Sequence, residues 1–458
     1  MSASSHFDHV VPFTPAEADT ILRSIPAQPG VFALHGAREQ DTPYLTQTAD
    51  LRRRMRRLLD PPESQSRRLN LREKVVRIEY SVTGSAFESS LTLYHAAASL
   101  FGYPEARRRL KLHTPYFLRL TTENPHPRVY ATNKLSRRGL AQMYGPFPSR
   151  LAAERYCDAV LDLFKLRRCH EDLHPSPEHP GCVYGEMNKC IAPCKQACTP
   201  EQYAEETAAV KKFFDTRGES MVIAIGLERE EASAGMRFEK AAALHAQWQK
   251  VKAAQSLADW IVRPVPRLHA IVVQTAARDA SQHPEQAALF LLDSGCLVGP
   301  ERLSTLGVRA VREQTSVGSS LFAQPLMLQP VPLEGAPATE PLDSPESRAS
   351  NAIAALQLRA SSTSDLALLS DHLSLLRRWY YRPEKQRIGE IFLPNEDSSW
   401  PIRRILRGAA RMVIGDPKPI AETNREAAPE AAKEIKTRTL HKGRPEVERT
   451  VPILPSKP

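Results

Sequence analysis

Four cysteines are the residues of this chain whose type and spacing point most directly to chemistry. They are Cys169, Cys182, Cys190 and Cys194, with 12, 7 and 3 residues in the gaps. Thiolates gathered in one segment suit a soft metal centre. Structural zinc sites usually pair their ligands as Cys-x-x-Cys, and this run has no such pair. An iron–sulfur cluster therefore fits the spacing better, with zinc or four buried thiols without a metal as the alternatives.

The other three cysteines have simpler interpretations. Cys198 follows Cys194 closely enough to be a substitute ligand, whereas Cys157 and Cys296 are predicted to be small core residues on a helix and a strand. Most of the 7 cysteines of this 458-residue chain lie in one segment. Their clustering indicates a local metal module rather than a disulfide framework, and hence a reducing compartment.

The N-terminal segment, MSASSHFDHVVPFTP, lacks the charged start and apolar run of a secretory leader. No stretch of the chain approaches the roughly 18 apolar residues of a membrane span. We therefore expect a cytoplasmic protein with no membrane partner.

Positive charge is concentrated between residues 51 and 150, which contain 20 Lys and Arg against 7 Asp and Glu, while the whole chain carries +10. One basic run is usually a solvated helix face. Several runs close together instead indicate a polyanion, because each Lys or Arg that neutralises a phosphate releases a counterion. Nucleic acid is the predicted partner. The candidate DNA-binding residues belong to the runs RRRMRR and ARRRLK: Arg52, Arg53, Arg54, Arg56, Arg107 and Arg108.

Length and element pattern predict an α/β chain of the α+β multidomain class, with 41% hydrophobic residues to form its cores. From Ile25 to Phe101 the predicted order is strand, strand, helix, strand, helix in a small mixed sheet. The predicted regions are a tail at 1–20, this sheet domain at 21–102, a cysteine-cluster module at 103–200, a helical region at 201–256, a second α/β domain at 257–416 with a Pro-rich linker at 323–348, and a disordered tail at 417–458.

Within the second α/β domain the pattern predicts a hairpin that turns at Ser294-Gly295. A long helix is expected from about Ala349 to Tyr381, followed by a strand in RIGEIFLP.

Short motifs follow one another through the first 256 residues. They are PGVF, YLT and DLRRRM, then VTGSAFESS, NPHPRVY, YGPFPSR, LFKLRRC, the cysteine run ending in CIAPC, EQYAEE and MRFEKAAALH. In this order they resemble the N-terminal half of the UvrC family, which belongs to the excinuclease ABC system of bacterial nucleotide excision repair. The resemblance implies a GIY-YIG nuclease-like domain, a 4Fe-4S cluster on the four cysteines, DNA as partner, and a hairpin that binds UvrB, another component of the excinuclease.

The implied nuclease centre is degenerate in this sequence. GIY-YIG chemistry needs a tyrosine to deprotonate or orient water, an arginine to stabilise the scissile phosphate, and a glutamate to hold one divalent metal. The matching positions are Gly30, Phe32, Tyr44, Arg54 and Leu93. Phenylalanine has replaced the first tyrosine, and leucine has replaced the glutamate. Because leucine cannot hold a metal, we expect no cutting.

Other substitutions bear on the same centre. Thr46 and Gln47 stand where the family has glycine and lysine. A bound Mg²⁺ is expected only if a relocated carboxylate, such as Glu79 or Glu88, keeps the nuclease active. Glu88 lies about 140° around the helix from position 93, which argues against it.

The segment MRFEKAA at 236–242 resembles the UVR motif. The resemblance implies that Phe238, Ala241 and Ala242 pack a helical hairpin that, with Glu239, binds UvrB. His245 and Ala246 replace the Arg-Asp pair that contacts the partner, so that we expect weakened binding. An ordinary amphipathic helix is the alternative.

Three functions follow from these expectations. The first is a DNA-binding repair protein of the UvrC type with lost or weak endonuclease activity. The second is an active structure-selective endonuclease, and the third is an iron–sulfur, redox-responsive DNA-binding regulator. Full-length UvrC also has a ribonuclease-H-like nuclease and a helix-hairpin-helix domain, and the segment after 417 resembles neither.

Overall fold

The computed structural model describes residues 7–38, 40–61, 69–278, 286–308, 344–360 and 365–415, and the backbone of two strands at 434–439 and 447–452. Within these residues the chain forms three four-stranded antiparallel sheets with helices packed against them. The predicted α+β multidomain class is confirmed.

The N-terminal domain is a four-stranded sheet in the order β1-β4-β2-β3, with four helices. Its elements are β1 (His9–Pro12), α1 (Ala18–Ser24), β2 (Gly30–Gly36), β3 (Tyr44–Thr48), α2 (Leu51–Leu59), β4 (Val75–Val82), α3 (Ala86–Phe101) and α4 (Tyr103–Arg109). The predicted order of elements between 25 and 101 is confirmed. The expected mixed sheet is wrong, because every pairing is antiparallel. Residues 9–12, expected in a tail, form β1, whose backbone pairs with β4.

Alternation along β2 distributes the core between two faces of this sheet. Phe32 and Leu34 face the cluster that includes residues of α1 and α2. Val31 and Ala33 point the other way and join Ala96 of α3. The two helices that matter for the site begin at side-chain caps, since Asp50 accepts a hydrogen bond from Arg53 N and Ser85 accepts one from Glu88 N.

The cysteine-cluster module contains the second sheet, in the order β6-β5-β7-β8, and leads into a helical hairpin. Its elements are β5 (Tyr116–Leu120), β6 (Val129–Thr132), β7 (Met143–Phe147), α5 (Arg150–Leu161), α6 (Val183–Glu186), α7 (Pro200–Asp215), α8 (Glu219–Ala234), α9 (Phe238–Ser256) and β8 (Arg263–Pro264). Because β8 pairs with β7, the chain returns to this sheet after the hairpin.

The second α/β domain is built on a sheet in the order β11-β10-β9-β12. Its elements are β9 (Ala270–Thr275), β10 (Gln286–Asp293), β11 (Cys296–Ser304), α10 (Pro345–Arg359), α11 (Leu366–Tyr380), β12 (Glu390–Phe392) and α12 (Ile402–Ile414). Helices α10 and α12 pack on one face, while α11 packs on the other together with α3 of the N-terminal domain. The predicted hairpin is confirmed, with Ser294 and Gly295 both at positive φ.

The single long helix expected from Ala349 to Tyr381 is wrong. Two helices replace it, and the second begins anew at Asp365, whose side chain accepts a hydrogen bond from Ala367 N. The Pro-rich linker predicted at 323–348 lies outside the described residues up to 343, and α10 begins at Pro345.

The region 417–458, expected to be disordered, contains β13 (Glu434–Thr439) and β14 (Val447–Pro452). The two strands pair antiparallel, which satisfies their backbone groups mutually, and this departs from our expectation. Among the described residues, no helix is both long and apolar enough to cross a membrane.

Candidate functional site

Three of the five nuclease-like positions meet on one face of the N-terminal sheet. Phe32 is fully buried, and its ring centroid lies 6.2 Å from that of Tyr44. The Tyr44 hydroxyl accepts a hydrogen bond of 3.0 Å from Nη2 of Arg54. Gly30 is required by packing, since a Cβ there would lie 2.4 Å from the carbonyl oxygen of Ser81. The structure therefore brings Phe32, Tyr44 and Arg54 together, with their hydrogen bonding internal to the domain.

Leu93 lies on the other side of the sheet. It packs against the cluster of Val31, Ala33 and Ala96 and, with Gln47, lines a cavity of about 170 Å³. The C-terminal end of α11 closes this cavity with Arg378, Trp379 and Arg382. The described residues that line it include no carboxylate. At Leu93, which we predict to match the metal ligand of the motif, the cavity has an apolar side chain and two arginines in its lining.

Glu88, the first candidate for a relocated carboxylate, does not line the cavity around Leu93. Its side chain is buried, accepts a 2.8 Å hydrogen bond from Gly84 N, and lies 3.5 Å from Nη2 of Arg302. Burial raises the pKa of Glu88 above its usual range. It borders a different cavity of about 650 Å³, together with His95 and Arg302.

Glu79 on β4 is the second candidate. Its carboxylate lies 3.2 Å from His35 and 3.1 Å from Arg77, so it too has close basic neighbours. Neither carboxylate is brought to Leu93, because the strand and helix that carry them direct them elsewhere.

The four cysteines come together in an irregular segment between α5 and α7. Cys182 directly precedes α6, while Cys190 and Cys194 are buried near its far end. Ala192 adopts a left-handed φ of 52°, and its N–H donates a 3.3 Å hydrogen bond to the Cys190 sulfur. The Arg167 guanidinium donates to the Cys169 sulfur at 3.7 Å.

The thiols are close enough to affect one another electrostatically. Burial raises the pKa of Cys190 to about 11, and Cys182, Cys169 and Cys194 act in the same direction. Burial also raises the pKa of Cys194, again with contributions from Cys182 and Cys169. Within the described ranges, no group of three or more His, Cys, Asp or Glu side chains is already arranged to hold a metal ion.

Donor chemistry tests whether these residues fit a cluster. The four thiols belong to one segment and act on one another electrostatically, and two of the sulfurs accept N–H hydrogen bonds, a contact that tunes thiolate-bound iron–sulfur centres. The donor set therefore fits such a group. Burial raises the pKa of Cys198, and the nearby Cys194 adds to this effect. Cys157 and Cys296 are buried in hydrophobic cores, as predicted.

The candidate DNA-binding arginines are mostly engaged within the protein. Arg52 donates to the Ile25 carbonyl, Arg54 to Tyr44, and Arg56 lies 3.4 Å from Asp19. Arg107 binds Asp371 of α11, and Arg108 binds Glu105 while remaining largely exposed. Arg53 and, in the same run, Arg57 have exposed side chains. Arg52, Arg54, Arg56 and Arg107 thus have contacts within the protein, and their role in DNA binding stays a prediction. The pair at 67–68 lies outside the described residues.

Helices α8 and α9 form the expected hairpin, but not through the expected residues. Phe238 is 68% exposed, Glu239 and Ala242 are exposed, and Ala241 is only half-buried. The hairpin is instead packed by Ile225, Ala232, Val251 and Ala254. Phe238 is the first residue of α9, at the open end of the turn that follows α8.

His245 takes part in a polar group on the hairpin surface. It lies 3.4 Å from Arg229 and 3.0 Å from Gln249, and its ring stacks on Trp248 with centroids 6.0 Å apart. His245, which we predict to stand in place of an arginine of the motif, is thus an exposed side chain with polar and aromatic neighbours.

Sequence reasoning missed Arg378, Arg382 and Gln274 as site residues. Arg378 and Arg382 belong to the basic run LRRWYYR, which was visible in the sequence. Nothing local indicated that this helix end lies over Leu93. Gln274 was a single polar residue in an apolar strand, and that interruption was the only available signal.

A protein-family model described as the UvrC/Cho excinuclease middle domain matches residues 116–213, which run from β5 to α7 and contain all four cysteines. Several relatives named UvrABC system protein C are similar to a longer part of the chain. The protein of Haloarcula marismortui is 30% identical over 295 residues, 62% of this chain and 49% of that protein. The protein of Desulforudis audaxviator is 28% identical over 330 residues, 68% of this chain and 50% of that protein.

A further relative, from Idiomarina loihiensis, is 25% identical over 226 residues, 49% of this chain and 36% of that protein. The chain thus spans about half or less of the length of these relatives. No solved structure matches it. The middle-domain match, these similarities and the motifs on both sides of it make the chain similar to the UvrC family, and residues 116–213 match the middle domain of that family.

Proposed function

We propose that this protein binds DNA in nucleotide excision repair of the excinuclease ABC type and does not incise it at its GIY-YIG-like centre. The observation that carries the proposal is the cavity around Leu93. A carboxylate would have to hold the metal at this position, and Arg378 and Arg382 line the opposite wall instead.

The chemistry of incision explains why this arrangement matters. A phosphodiesterase of this design depends on a divalent metal that polarises the phosphate and activates water. Arginine neutralises a phosphate, but it stays protonated and cannot generate hydroxide. Leu93 offers no ligand on its side of the sheet, and on the other side Phe32 lacks the hydroxyl that would orient water. Neither face therefore has the groups that this chemistry needs.

The similarities support DNA as the partner. The family model and the relatives carry the names excinuclease and UvrABC system, and the net charge of +10 suits a polyanion. On α2, Arg53 and Arg57 are one helical turn apart and exposed, so they can contact neighbouring phosphates.

We also propose that Cys169, Cys182, Cys190 and Cys194 hold a 4Fe-4S cluster. The proposal is supported by the mutual electrostatic influence of the thiols and by the N–H donors to Cys169 and Cys190. When bound, such a group would supply one-electron redox chemistry and a crosslink within this segment. Zinc is the alternative that metal analysis separates from it.

UvrB is the partner that we propose for the hairpin. Ile223, Leu227, Met236 and Phe238 are apolar and between 55% and 77% exposed. Exposed apolar side chains grouped on one hairpin are typical of a protein–protein contact. The His245 group replaces a charged contact of the motif, which supports weaker binding than in the family.

Incision assays test the proposal. The purified full chain would be incubated with a duplex carrying a bulky lesion, with Mg²⁺ or Mn²⁺, and with or without UvrA and UvrB. We expect a gel shift of the duplex but no nick above background from this chain alone. Leu93→Glu combined with Phe32→Tyr restores a ligand and a hydroxyl, and is expected to give at most a trace of cutting.

Glu88→Ala is the matched control. It should leave DNA binding unchanged and add no activity. If instead the unmodified chain nicks DNA with Mg²⁺ and Glu88→Ala abolishes the nick, the chain is an active endonuclease and the proposal fails.

A further inference from the structure

A second cavity, of about 400 Å³, lies between the N-terminal domain and the second α/β domain. One wall is the start of α3, from Ser85 to Phe87. The opposite wall contains Gln274 of β9 together with Trp379 and Arg382 at the end of α11. This volume lies within the range of ligand sites, about 300–1,000 Å³. The described residues that line the cavity include no carboxylate.

Gln274 is the unexplained residue of this cavity. Its side chain is 1% exposed, and neither Oε1 nor Nε2 has a hydrogen-bond partner among the described residues. The amide is held against Gly389, where a Cβ would lie 2.0 Å from Nε2. Leaving a buried amide unsatisfied costs about 1–3 kcal/mol for each group. A donor and an acceptor side by side, both unmet, indicate that a ligand with a complementary edge belongs here.

The wall formed by the start of α3, together with Arg382, suits an anion. Helix α3 is 16 residues long, and the first amides of a helix have no acceptor within it. Ser85 Oγ caps Glu88 N, so it leaves the N–H groups of Ala86 and Phe87 at the cavity. The Glu88 carboxylate points toward Arg302 and is not part of the lining. Helix terminus and Arg382 together make a positive environment for a phosphate.

We propose that this cavity binds one nucleotide unit, with its phosphate between the start of α3 and Arg382 and its base edge on the carboxamide of Gln274. A carboxamide pairs in a bidentate manner with a base that presents a neighbouring donor and acceptor, adenine above all. Phe87 and Trp379, whose ring centroids are 5.0 Å apart, supply the apolar part of the wall.

The nucleotide can come from two sources, a base extruded from a DNA strand or a free mononucleotide. The extruded base deepens the proposed function and rests on it. Extrusion costs a few kcal/mol of lost base stacking. Binding of the base to the carboxamide and of the phosphate to the anion site offsets part of that cost. A free mononucleotide would use the same contacts without DNA.

Calorimetric titration of the full chain with dAMP, dCMP, dGMP and dTMP tests the site directly. We expect dAMP to bind most tightly. Gln274→Leu should weaken dAMP binding about tenfold and remove the base preference, since a bidentate pair is worth about 1–3 kcal/mol. Arg382→Gln should weaken all four nucleotides alike. Arg403→Gln is the control and should change nothing. Arg403 is exposed on α12, which packs on the face of the sheet away from α11.

A duplex that places 2-aminopurine beside an adenine opposite an abasic site distinguishes the sources, because extrusion of that adenine unstacks the probe. A rise in its fluorescence with the wild-type chain, lost in Gln274→Leu, supports an extruded base. Mononucleotide binding without that rise supports a free nucleotide. The melting temperature of Gln274→Leu should not fall, because an unmet amide has been replaced by an apolar group.

The outcomes separate this inference from the proposed function. If the duplex binds equally to wild type and Gln274→Leu, without a fluorescence change, and no mononucleotide binds, the nucleotide site is overturned while DNA binding stands. If mononucleotides bind as expected and the duplex does not bind at all, the site stands and the proposed function fails.

Discussion

Two buried residues, Cys190 and His372, carry unusual chemistry in this molecule. Cys190 lies among three other thiols with a backbone N–H directed at its sulfur. His372 on α11 accepts a 2.9 Å hydrogen bond from Leu297 N at Nδ1, and its Nε2 has no partner among the described residues. Burial favours the neutral form of His372, and each of the two residues gives a measurable prediction.

Cys190→Ser should remove the cluster. A serine hydroxyl is a poor ligand for iron, so we expect anaerobically purified wild-type chain to be brown and to contain iron and sulfide, and the variant to be colourless. Cys198→Ser is the control and should keep its iron. Wild-type protein that is colourless and contains one zinc ion would disprove the cluster.

The stability of the protein should fall in mild acid because of His372. Burial, helped by His95, lowers the pKa of His372 to about 4. In the unfolded chain the pKa of this histidine is about 6.5, so below that pH it binds a proton while the folded form stays neutral. Lowering the pH from about 6.5 toward 4 therefore favours unfolding increasingly. The neutral His372 contributes about 3 kcal/mol to the free energy of unfolding, and this contribution is fully present above about pH 6.5.

Urea unfolding of wild type and His372→Asn between pH 7 and 4 measures this effect. Asparagine keeps an acceptor for Leu297 N but cannot titrate, so the variant should lose less stability in acid than the wild type. Equal losses would show that other groups cause the pH dependence.

At the scale of elements, the basic helix α2 divides its arginines between two tasks. Its hydrophobic residues face the core, and Arg52, Arg54 and Arg56 make contacts within the domain. Arg53 and Arg57 remain on the outer face. Helical periodicity thus decides which members of one basic run are available for DNA.

Replacing Arg53 and Arg57 together with glutamine should weaken duplex binding and reduce the slope of log affinity against log salt by about 2, because each phosphate contact contributes about 0.9. Fluorescence anisotropy at several salt concentrations measures this. The matched control is Arg403→Gln with Arg407→Gln, an exposed pair with the same spacing on α12. An unchanged slope would place the DNA footprint elsewhere.

At the scale of the whole molecule, the N-terminal domain and the second α/β domain share one core. Phe87, Leu91 and Tyr94 of α3 pack in the same cluster as Phe290 and Trp379. A polar contact reinforces this interface, since the buried Asp371 accepts hydrogen bonds from Arg107 at 2.7 and 3.1 Å and from the Tyr94 hydroxyl at 3.0 Å. The interface holds α11 over the nuclease-like centre.

Arg107→Met should loosen this interface. The Asp371 carboxylate then stays buried with only Tyr94 as donor. We expect the free energy of unfolding to fall by about 3 kcal/mol, which is the low end for a broken buried ion pair because Arg107 is itself partly exposed. Adding Asp371→Asn should recover part of the loss. Denaturant unfolding of both variants provides the measurement, and wild-type stability in Arg107→Met would show that the pair contributes nothing.

The sequence by itself determined what depends on residue type and local spacing. Four cysteines in one segment, the turn at Ser294 and the order of elements from 25 to 101 were all readable, because capping and alternation act over a few residues. The proximity of Phe32, Tyr44 and Arg54 was also local, since they belong to one short strand-turn-helix unit.

Only the tertiary structure decided which side chains meet across the chain. Arg107 and Asp371 are 264 positions apart, and the placement of Arg382 and Gln274 around α3 depends on the same distant packing. Such contacts arise when whole faces of helices and sheets are buried together, a cooperative result that local patterns do not encode.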